Sequence, residues 1–389
     1  MHSTSLLFSL FLIFSGAAVL STLALITRQS LLVAYILLGV ILGPWGLKLL
    51  GDSNIVHSVG NVGIIFLLFL LGLHLPPQKL LHTLKQVSWV ACTSSLVFAL
   101  IGYGLTWLSG YTQAEAVLVG AAAMFSSTII GIKLLPTTTL HHQHTGELMI
   151  SVLLLQDLLA IIVLLLMHGM AIGGEIQEDM KLVTIGLPLT LLFAFLFQHY
   201  LLMPLFDRFN RIREYAFLLA IAWCLSMSEL ASYFGLSGEI GAFIAGVTLA
   251  TSPISLYIAE SLKPVRDFFL VMFFFSVGAN FNLEYLPSVI LPATLLGLLL
   301  LVAKPVVFRY LLGKSSESKR ISWEMGFRLG QLSEFSLIIA YVALDSRLIG
   351  IQAAYLIQAT TILTFIASSY FVVLKYPTPV AISETMRRD

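Results

Sequence analysis

Long apolar runs, separated by short turns that carry Gly, Pro or charged residues, follow one another along the whole sequence. Each run approaches the roughly 20 residues that an α-helix needs to cross a bilayer. Thirteen such runs predict an all-α membrane protein with thirteen transmembrane helices. The predicted spans cover residues 5–26, 31–50, 56–75, 87–109, 112–135, 147–171, 182–205, 214–234, 236–252, 265–280, 285–312, 322–344 and 349–374.

The composition supports this class of protein. Hydrophobic residues make up 58% of the 389 residues, charged residues make up 11%, and the mean hydropathy is +0.95. The basic residues are scattered between apolar runs and the net charge is only +1, so we expect no nucleic-acid partner. The two cysteines lie in apolar runs, and no Gly-rich nucleotide fingerprint is present. The sequence therefore predicts no metal and no cofactor.

Lys and Arg are divided unevenly between the two sides of the predicted spans. With the N-terminus outside, the outer side holds Lys48, Lys181 and Arg347. The other side holds sixteen basic residues: Arg28, Lys79, Lys85, Lys133, Arg208, Arg211, Arg213, Lys263, Arg266, Arg309, Lys314, Lys319, Arg320, Lys375, Arg387 and Arg388. Because positive residues accumulate in cytoplasmic loops, we expect an outer N-terminus and a cytoplasmic C-terminus.

A weak internal repeat has an offset of about 207 residues. "LGVILG" at 38–43 aligns with "AGVTLA" at 245–250, and "SST" at 126–128 aligns with "SEF" at 333–335. The second copy starts seven spans after the first, and an odd number inverts its topology, as in many secondary transporters. The predicted organisation is a first inverted repeat of six spans (1–171), a linker span (172–213), a second inverted repeat (214–376) and a short cytoplasmic tail (377–389).

One carboxylate lies in the most apolar of the predicted spans. In "SVLLLQDLLAIIVLLLM", residues 151–167, the polar residues are Ser151, Gln156 and Asp157. A centrally placed carboxylate costs about 2.5–3.5 kcal/mol on insertion scales, so such residues face the bundle interior and usually have a function. Asp157 is therefore the first candidate for an ion site.

Two other spans contain polar stretches that predict interrupted helices. "MFSSTIIG" at 124–131 places three hydroxyl residues in mid-span, and "GQLSEFS" at 330–336 combines Gly, Gln, Ser and Glu. Ser and Thr compete for backbone hydrogen bonds and Gly loosens a helix, although ordinary spans whose hydroxyls bond to carbonyls are an alternative. Interrupted helices expose carbonyls and oriented dipoles that can replace the water shell of an ion.

At this point the motifs resemble a known family. In order they are "LGVILGPWGLKLL", "VGIIFLLFLLGL", "FSSTIIGIKLL", "LLLQDLLAI", "GLSGEIGAFIAGVTLA", "FFFSVGANFNL" and "GQLSEFSLIIA". Together they resemble the second family of monovalent cation:proton antiporters, and the Gln-Asp pair is similar to its Kef-type branch, the bacterial potassium efflux proteins. The resemblance implies broken crossing helices, a homodimer, a dimerisation panel with a mobile core, and the bacterial cytoplasmic (inner) membrane.

The resemblance also implies roles for individual residues. Asp157 is similar to the carboxylate that carries the cation and the proton, Gln156 to its partner, and Lys304 to the core lysine that acts as a charge partner of Asp157. The remaining members of the implied site are Ser126, Ser127, Thr128, Ser333 and Glu334 at the helix breaks. Kef-type proteins usually continue into a nucleotide-binding domain, so we expect a cytoplasmic regulatory domain or subunit that is not in this chain.

The expected function is therefore secondary antiport of a monovalent cation, K⁺ in preference to Na⁺, against H⁺, and not an enzymatic reaction. A single titrating carboxylate beside Gln156 predicts an electroneutral exchange. A gated cation channel and a non-transporting membrane sensor remain alternatives on the same scaffold. The sequence leaves open the roles of Glu229 and of the loop histidines His141, His142 and His144.

Overall fold

The computed structural model describes most of the chain: residues 6–27, 29–49, 53–73, 77–133, 144–171, 176–209, 212–234, 236–250, 252, 255–315 and 317–376. Within these residues the structure is helical and contains no strand. The loop residues His141 and His142 and the predicted tail 377–389 lie outside the described residues.

Sixteen α-helices are described. In chain order they are α1 (Leu6–Ile26), α2 (Leu31–Leu42), α3 (Ser53–Leu73), α4 (Pro77–Leu108), α5 (Gln113–Ala123), α6 (Thr128–Lys133), α7 (His144–Ala171), α8 (Ile176–Phe197), α9 (Met203–Phe209), α10 (Arg213–Tyr233), α11 (Gly238–Ala250), α12 (Ser255–Ala279), α13 (Leu286–Lys314), α14 (Lys319–Arg328), α15 (Glu334–Asp345) and α16 (Ile351–Lys375). A π-helical turn, Gln198–Leu202, joins α8 to α9, and a 3₁₀ turn, Leu283–Tyr285, precedes α13.

Seven helices in the described part of the chain are long and apolar enough to cross a membrane: α1, α4, α7, α8 continued by α9, α10, α13 and α16. Shorter apolar helices, α2, α5, α11 and the second half of α3, accompany them. The prediction of a multi-pass, all-helical membrane protein is thus confirmed. The count of thirteen spans and the inverted repeat stay predictions. The predicted span 31–50 contains a helix of only 12 residues, because Gly43 caps α2 and a turn follows at Pro44.

Two of the predicted spans are divided into two helices each. The first break, residues 124–127, separates α5 from α6, and the second break, residues 329–333, separates α14 from α15. Hydroxyl side chains stabilise the helix ends at both breaks: Ile130 N–H donates to Ser127 Oγ (3.1 Å), and Phe335 N–H donates to Ser333 Oγ (3.1 Å). These polar stretches favour helix termini where an apolar sequence would continue the helix.

The chain forms two compact units. The first contains Gly51–His82 and Leu165–Ser276, and the second contains Thr4–Leu50, Thr83–Leu164 and Val277–Asp389. Each unit thus draws on both predicted repeats.

In the first unit, α3 and α11 pack backbone to backbone at Gly72 and Gly246, where a Cβ atom on either glycine would overlap the other helix. Trp223 Nε1 of α10 donates a hydrogen bond to the carbonyl of Ala245 in α11 (3.2 Å). Close approach and a buried indole bond hold these helices together within that unit.

In the second unit, one carboxylate stabilises the starts of two helices. Glu115 accepts the N–H of Thr112, the residue that caps α5 (3.0 Å), and Thr112 Oγ1 accepts the N–H of Glu115 in return (3.3 Å). The same carboxylate accepts the N–H of Gly350, the residue that caps α16 (3.1 Å). The helix that leads into the first break is therefore tied to α16, the last of the described helices.

Candidate functional site

Asp157 lies at the middle of α7 and is only 1% exposed. Its described hydrogen-bond donor is the hydroxyl of Thr128, the first residue of α6, at 3.4 Å from Oδ1 and 3.3 Å from Oδ2. Both distances are long for a hydroxyl that donates to a carboxylate, which is usually 2.5–2.7 Å. The carboxylate thus lies in an apolar helix, beside the start of a broken helix, with most of its acceptor capacity unused by the described side chains.

The adjacent Gln156 is fully buried and holds the first break. Its Oε1 accepts the N–H of Ser126 (3.0 Å), and its Nε2 donates to the carbonyl of Met124 (3.3 Å). A helix interruption frees backbone groups that have no water partner at membrane depth. Gln156 supplies both the acceptor and the donor that those groups need.

Lys304, on α13, lies between the two breaks and is fully buried. Its Nζ donates to the carbonyl oxygens of Phe125 (2.7 Å) and Gln331 (2.9 Å) and to Ser126 Oγ (3.2 Å). The ammonium also lies 5.2 Å from the ring centroid of Phe98. A cation beside the carbonyls that follow two helix C-termini is electrostatically favourable, because those ends carry partial negative charge.

The sequence predicts that Lys304 acts as a charge partner of Asp157, and the structure does not describe a direct pair between them. Both residues are described, and the structure contains no salt bridge between them. The three oxygens around the ammonium already satisfy its three N–H donors. Lys304 is therefore a partner of the two breaks and not a direct partner of the carboxylate.

The two breaks contact each other. Ser126 Oγ donates to the carbonyl of Leu329 (2.9 Å), and Gln331 Nε2 donates to the carbonyl of Ser127 (3.4 Å). Ser336 Oγ, in the first turn of α15, donates to the carbonyl of Ala122 at the end of α5 (2.6 Å). Polar groups of the two interrupted spans thus form hydrogen bonds with one another, although more than 200 residues of sequence separate them.

Comparison with known proteins agrees with this architecture. The family described as "Sodium/hydrogen exchanger, transmembrane" matches residues 10–375. The chain belongs to this family. Among solved structures, it is similar to the sodium proton antiporter MjNhaP1 from Methanocaldococcus jannaschii, with a TM-score of 0.65 and 17% identity over 93% of this chain and 94% of that one. At this identity the likeness shows a shared antiporter fold.

Within the exchanger fold, the predicted site residues separate into two groups. Thr128 contacts Asp157, and Glu334 is the first residue of α15 and 8% exposed. The other group supports the backbone of the breaks and comprises Ser126, Ser127, Gln156, Lys304 and Ser333. Of the predicted set, Thr128 is the residue with a described hydrogen bond to the carboxylate.

Sequence reasoning missed the part of α16 that supports the second break. Thr364 Oγ1 accepts the N–H of Leu332 (3.1 Å), and Ser368 Oγ donates to Oε1 of Gln331 (2.8 Å). The available signal was a stripe of hydroxyl residues, at helical spacing, in an otherwise apolar span. Such a stripe indicates a buried polar neighbour, and here the neighbour is the break 329–333.

Two further charged residues have no described contact with Asp157. Glu229 is exposed on α10, in the first compact unit. Arg328 forms an ion pair with Glu324, one turn earlier on the same helix (Nη2 to Oε1, 2.8 Å). Among the described residues, no group of three or more His, Cys, Asp or Glu side chains could hold a metal ion.

Proposed function

We propose that this exchanger couples the movement of a monovalent cation to that of H⁺ through one shared site at Asp157. The proposal rests on the surroundings of the Asp157 carboxylate. It is 1% exposed, lies in an apolar helix long enough to cross a membrane and next to a helix break, and is contacted by Thr128 only at long distance. Its oxygens can accept either a proton or a dehydrated cation.

The coupling follows from the cost of moving charge through a low-dielectric barrier. With a proton bound, Asp157 is neutral, and with a cation bound its charge is compensated, so both loaded forms can cross. The empty carboxylate carries the full desolvation cost and holds the transporter in place. Alternating access of the loaded site then exchanges one ion for the other.

The stoichiometry we propose is electroneutral. Position 156, next to the carboxylate, is Gln and does not titrate, and the amide of Gln156 is occupied by Ser126 and Met124. Lys304 is held by carbonyl oxygens and need not exchange its partner during the cycle. One proton for one monovalent cation moves no net charge.

We further propose K⁺ in preference to Na⁺, a homodimer built on a dimerisation panel with a mobile core, and a regulatory domain or subunit outside this chain. These points are supported by the resemblance of the "LLLQDLLAI" motif to the Kef-type branch. The position of both breaks, Lys304 and Asp157 within one compact unit is compatible with a core that moves as a whole.

Proteoliposomes with an internal pH dye test the exchange. We expect K⁺, and to a lesser degree Na⁺ and Li⁺, to drive proton movement at about 1–10³ turnovers per second. Because cation and proton compete for the same oxygens, the apparent KM for the cation should rise as the pH falls.

Recordings on solid-supported membranes should show no transporter current. A sustained current, or a flux far above 10³ ions per second, would contradict electroneutral antiport and favour a channel.

The proposed orientation places the N-terminus outside and the C-terminus in the cytoplasm, on the basis of the sixteen-to-three distribution of basic residues. An alkaline phosphatase fused after Asp389 should be inactive in a bacterial host, whereas a green fluorescent protein at the same position should fluoresce. A phosphatase fused after Gly110, between α4 and α5, is the matched control and should be active. An active fusion at Asp389 would show that the span count is wrong.

A further inference from the structure

Arg328 is a buried charge that the transport site does not use. It is the last residue of α14, and its side chain is 1% exposed. Its Nε and Nη2 donate to Glu324 Oε1 at 3.0 and 2.8 Å. Removing such a charge from water carries a desolvation cost that its attraction to the partner has to offset. A largely buried charge pair directly before the second break indicates that the pair helps to position that break.

The C-terminal end of α16 lies beside this pair. Arg328 Cζ lies 5.5 Å from the ring centroid of Tyr376, the residue that ends α16. Phe327 stacks on Phe371 with centroids 4.6 Å apart, and Lys375 Nζ lies 4.6 Å from the Phe327 centroid and 5.3 Å from that of Phe371. We name these five residues, Phe327, Arg328, Phe371, Lys375 and Tyr376, the terminal clasp. It joins the last turn of α14 to the last turn of α16.

Both helices of the terminal clasp also hold the second break. Leu329 follows Arg328 directly, and its carbonyl accepts the hydroxyl of Ser126 at the first break. About one turn before Phe371 on α16, Ser368 donates to the side chain of Gln331, whose carbonyl accepts Lys304. A change in the distance between the two helix ends therefore displaces the groups that join the two breaks.

We infer that Tyr376 and Lys375 are positioning residues for the transport site, which act by holding α16 against α14 and so keep the second break in register with the first. A displacement of Tyr376 is transmitted to Gln331 and Lys304 through these contacts. The transport consequence rests on the proposed antiport function. The ordering of residues 329–336 by the terminal clasp does not depend on that function.

The test combines hydrogen–deuterium exchange with transport, both on full-length protein in lipid. We expect Tyr376→Ala and Lys375→Ala to increase deuterium uptake in a peptide covering 329–336, with uptake in 240–250 unchanged. Tyr376→Ala loses one cation–π contact and should shift the apparent KM for the cation by about five-fold. Lys375→Ala loses two and should shift it at least as far, and both variants should move the pH profile. Tyr376→Phe and Lys375→Arg keep the ring and the charge and should match the parent protein.

Tyr370→Ala is the matched control, because Tyr370 is on α16, is 43% exposed and lies outside the terminal clasp. Unchanged uptake at 329–336 in Tyr376→Ala would overturn the inference, whether or not the protein transports. Increased uptake throughout the chain would overturn it as well, since it would indicate general destabilisation. If the parent protein exchanges ions and the alanine variants show increased uptake at 329–336 but an unchanged KM and pH profile, the positioning role is refuted. If the parent protein exchanges no ions and the alanine variants still show increased uptake at 329–336, the structural role of the terminal clasp is supported and the proposed antiport function is refuted.

Discussion

Replacement of Asp157 by Asn should abolish cation-driven proton exchange while leaving insertion and folding intact. Asn has nearly the same size, and its carbonyl oxygen can still accept the hydroxyl of Thr128, which lies 3.3–3.4 Å from the carboxylate in the parent protein. The amide cannot take up a proton or compensate a cation, so neither loaded form of the site can exist. The measurement is the cation-induced pH change in liposomes that contain equal amounts of each protein.

Two further variants sharpen this test. Asp157→Glu keeps the charge and should retain partial activity with a shifted apparent cation affinity. Glu229→Gln removes an exposed carboxylate from α10 and should exchange at the parent rate. Exchange by Asp157→Asn at more than about a tenth of the parent rate, equivalent to ~1.4 kcal/mol in the barrier, would remove Asp157 from the mechanism.

Replacement of Lys304 by Met should have the largest effect on stability. Met has a similar length but no donor, so the carbonyls of Phe125 and Gln331 lose the ammonium that now lies 2.7 and 2.9 Å away. Buried acceptors without a donor cost about 1–3 kcal/mol each, so we expect a loss of about 3 kcal/mol or more and a melting temperature lower by on the order of 5 °C. Thermal unfolding of the purified protein in detergent measures this directly.

The partial replacements distinguish the charge of Lys304 from its hydrogen bonds. Lys304→Arg and Lys304→Gln retain donors and should be more stable than the Met variant, and the neutral Gln variant should show an altered pH dependence of exchange. Lys314→Met is the matched control, since Lys314 is exposed at the end of the same helix. If Lys304→Met had the same melting temperature as the parent protein, the stability of the two breaks would not depend on the ammonium.

The helix breaks could be predicted because their causes are local. Hydroxyl residues at 126–128 and at 333 compete for backbone groups within one or two turns, and the structure ends helices there. The burial of Asp157 could be predicted for the same reason, since the surrounding apolar residues leave it no aqueous side. In both cases the information lies within about ten residues of sequence.

Gln156 illustrates what adjacency in sequence cannot show. Its position next to Asp157 suggested that both side chains share one ion site. Neighbouring residues on a helix do not face each other, so Gln156 points to the backbone of Ser126 and Met124 while Asp157 meets Thr128. The two residues act on the same broken helix at different points.

The sequence by itself determined the membrane class, the helical runs, the positions of the breaks and the carboxylate at 157, because hydrophobicity and helix termination are properties of short segments. The tertiary structure alone decided that Lys304 bonds to Phe125 and Gln331 and that Tyr376 covers Arg328. A buried cation takes the acceptors that packing brings within its reach, and Phe125 is 179 residues away from Lys304 in sequence. Several acids and carbonyls could have satisfied the same ammonium, and the packing of α13 between the two breaks selected among them.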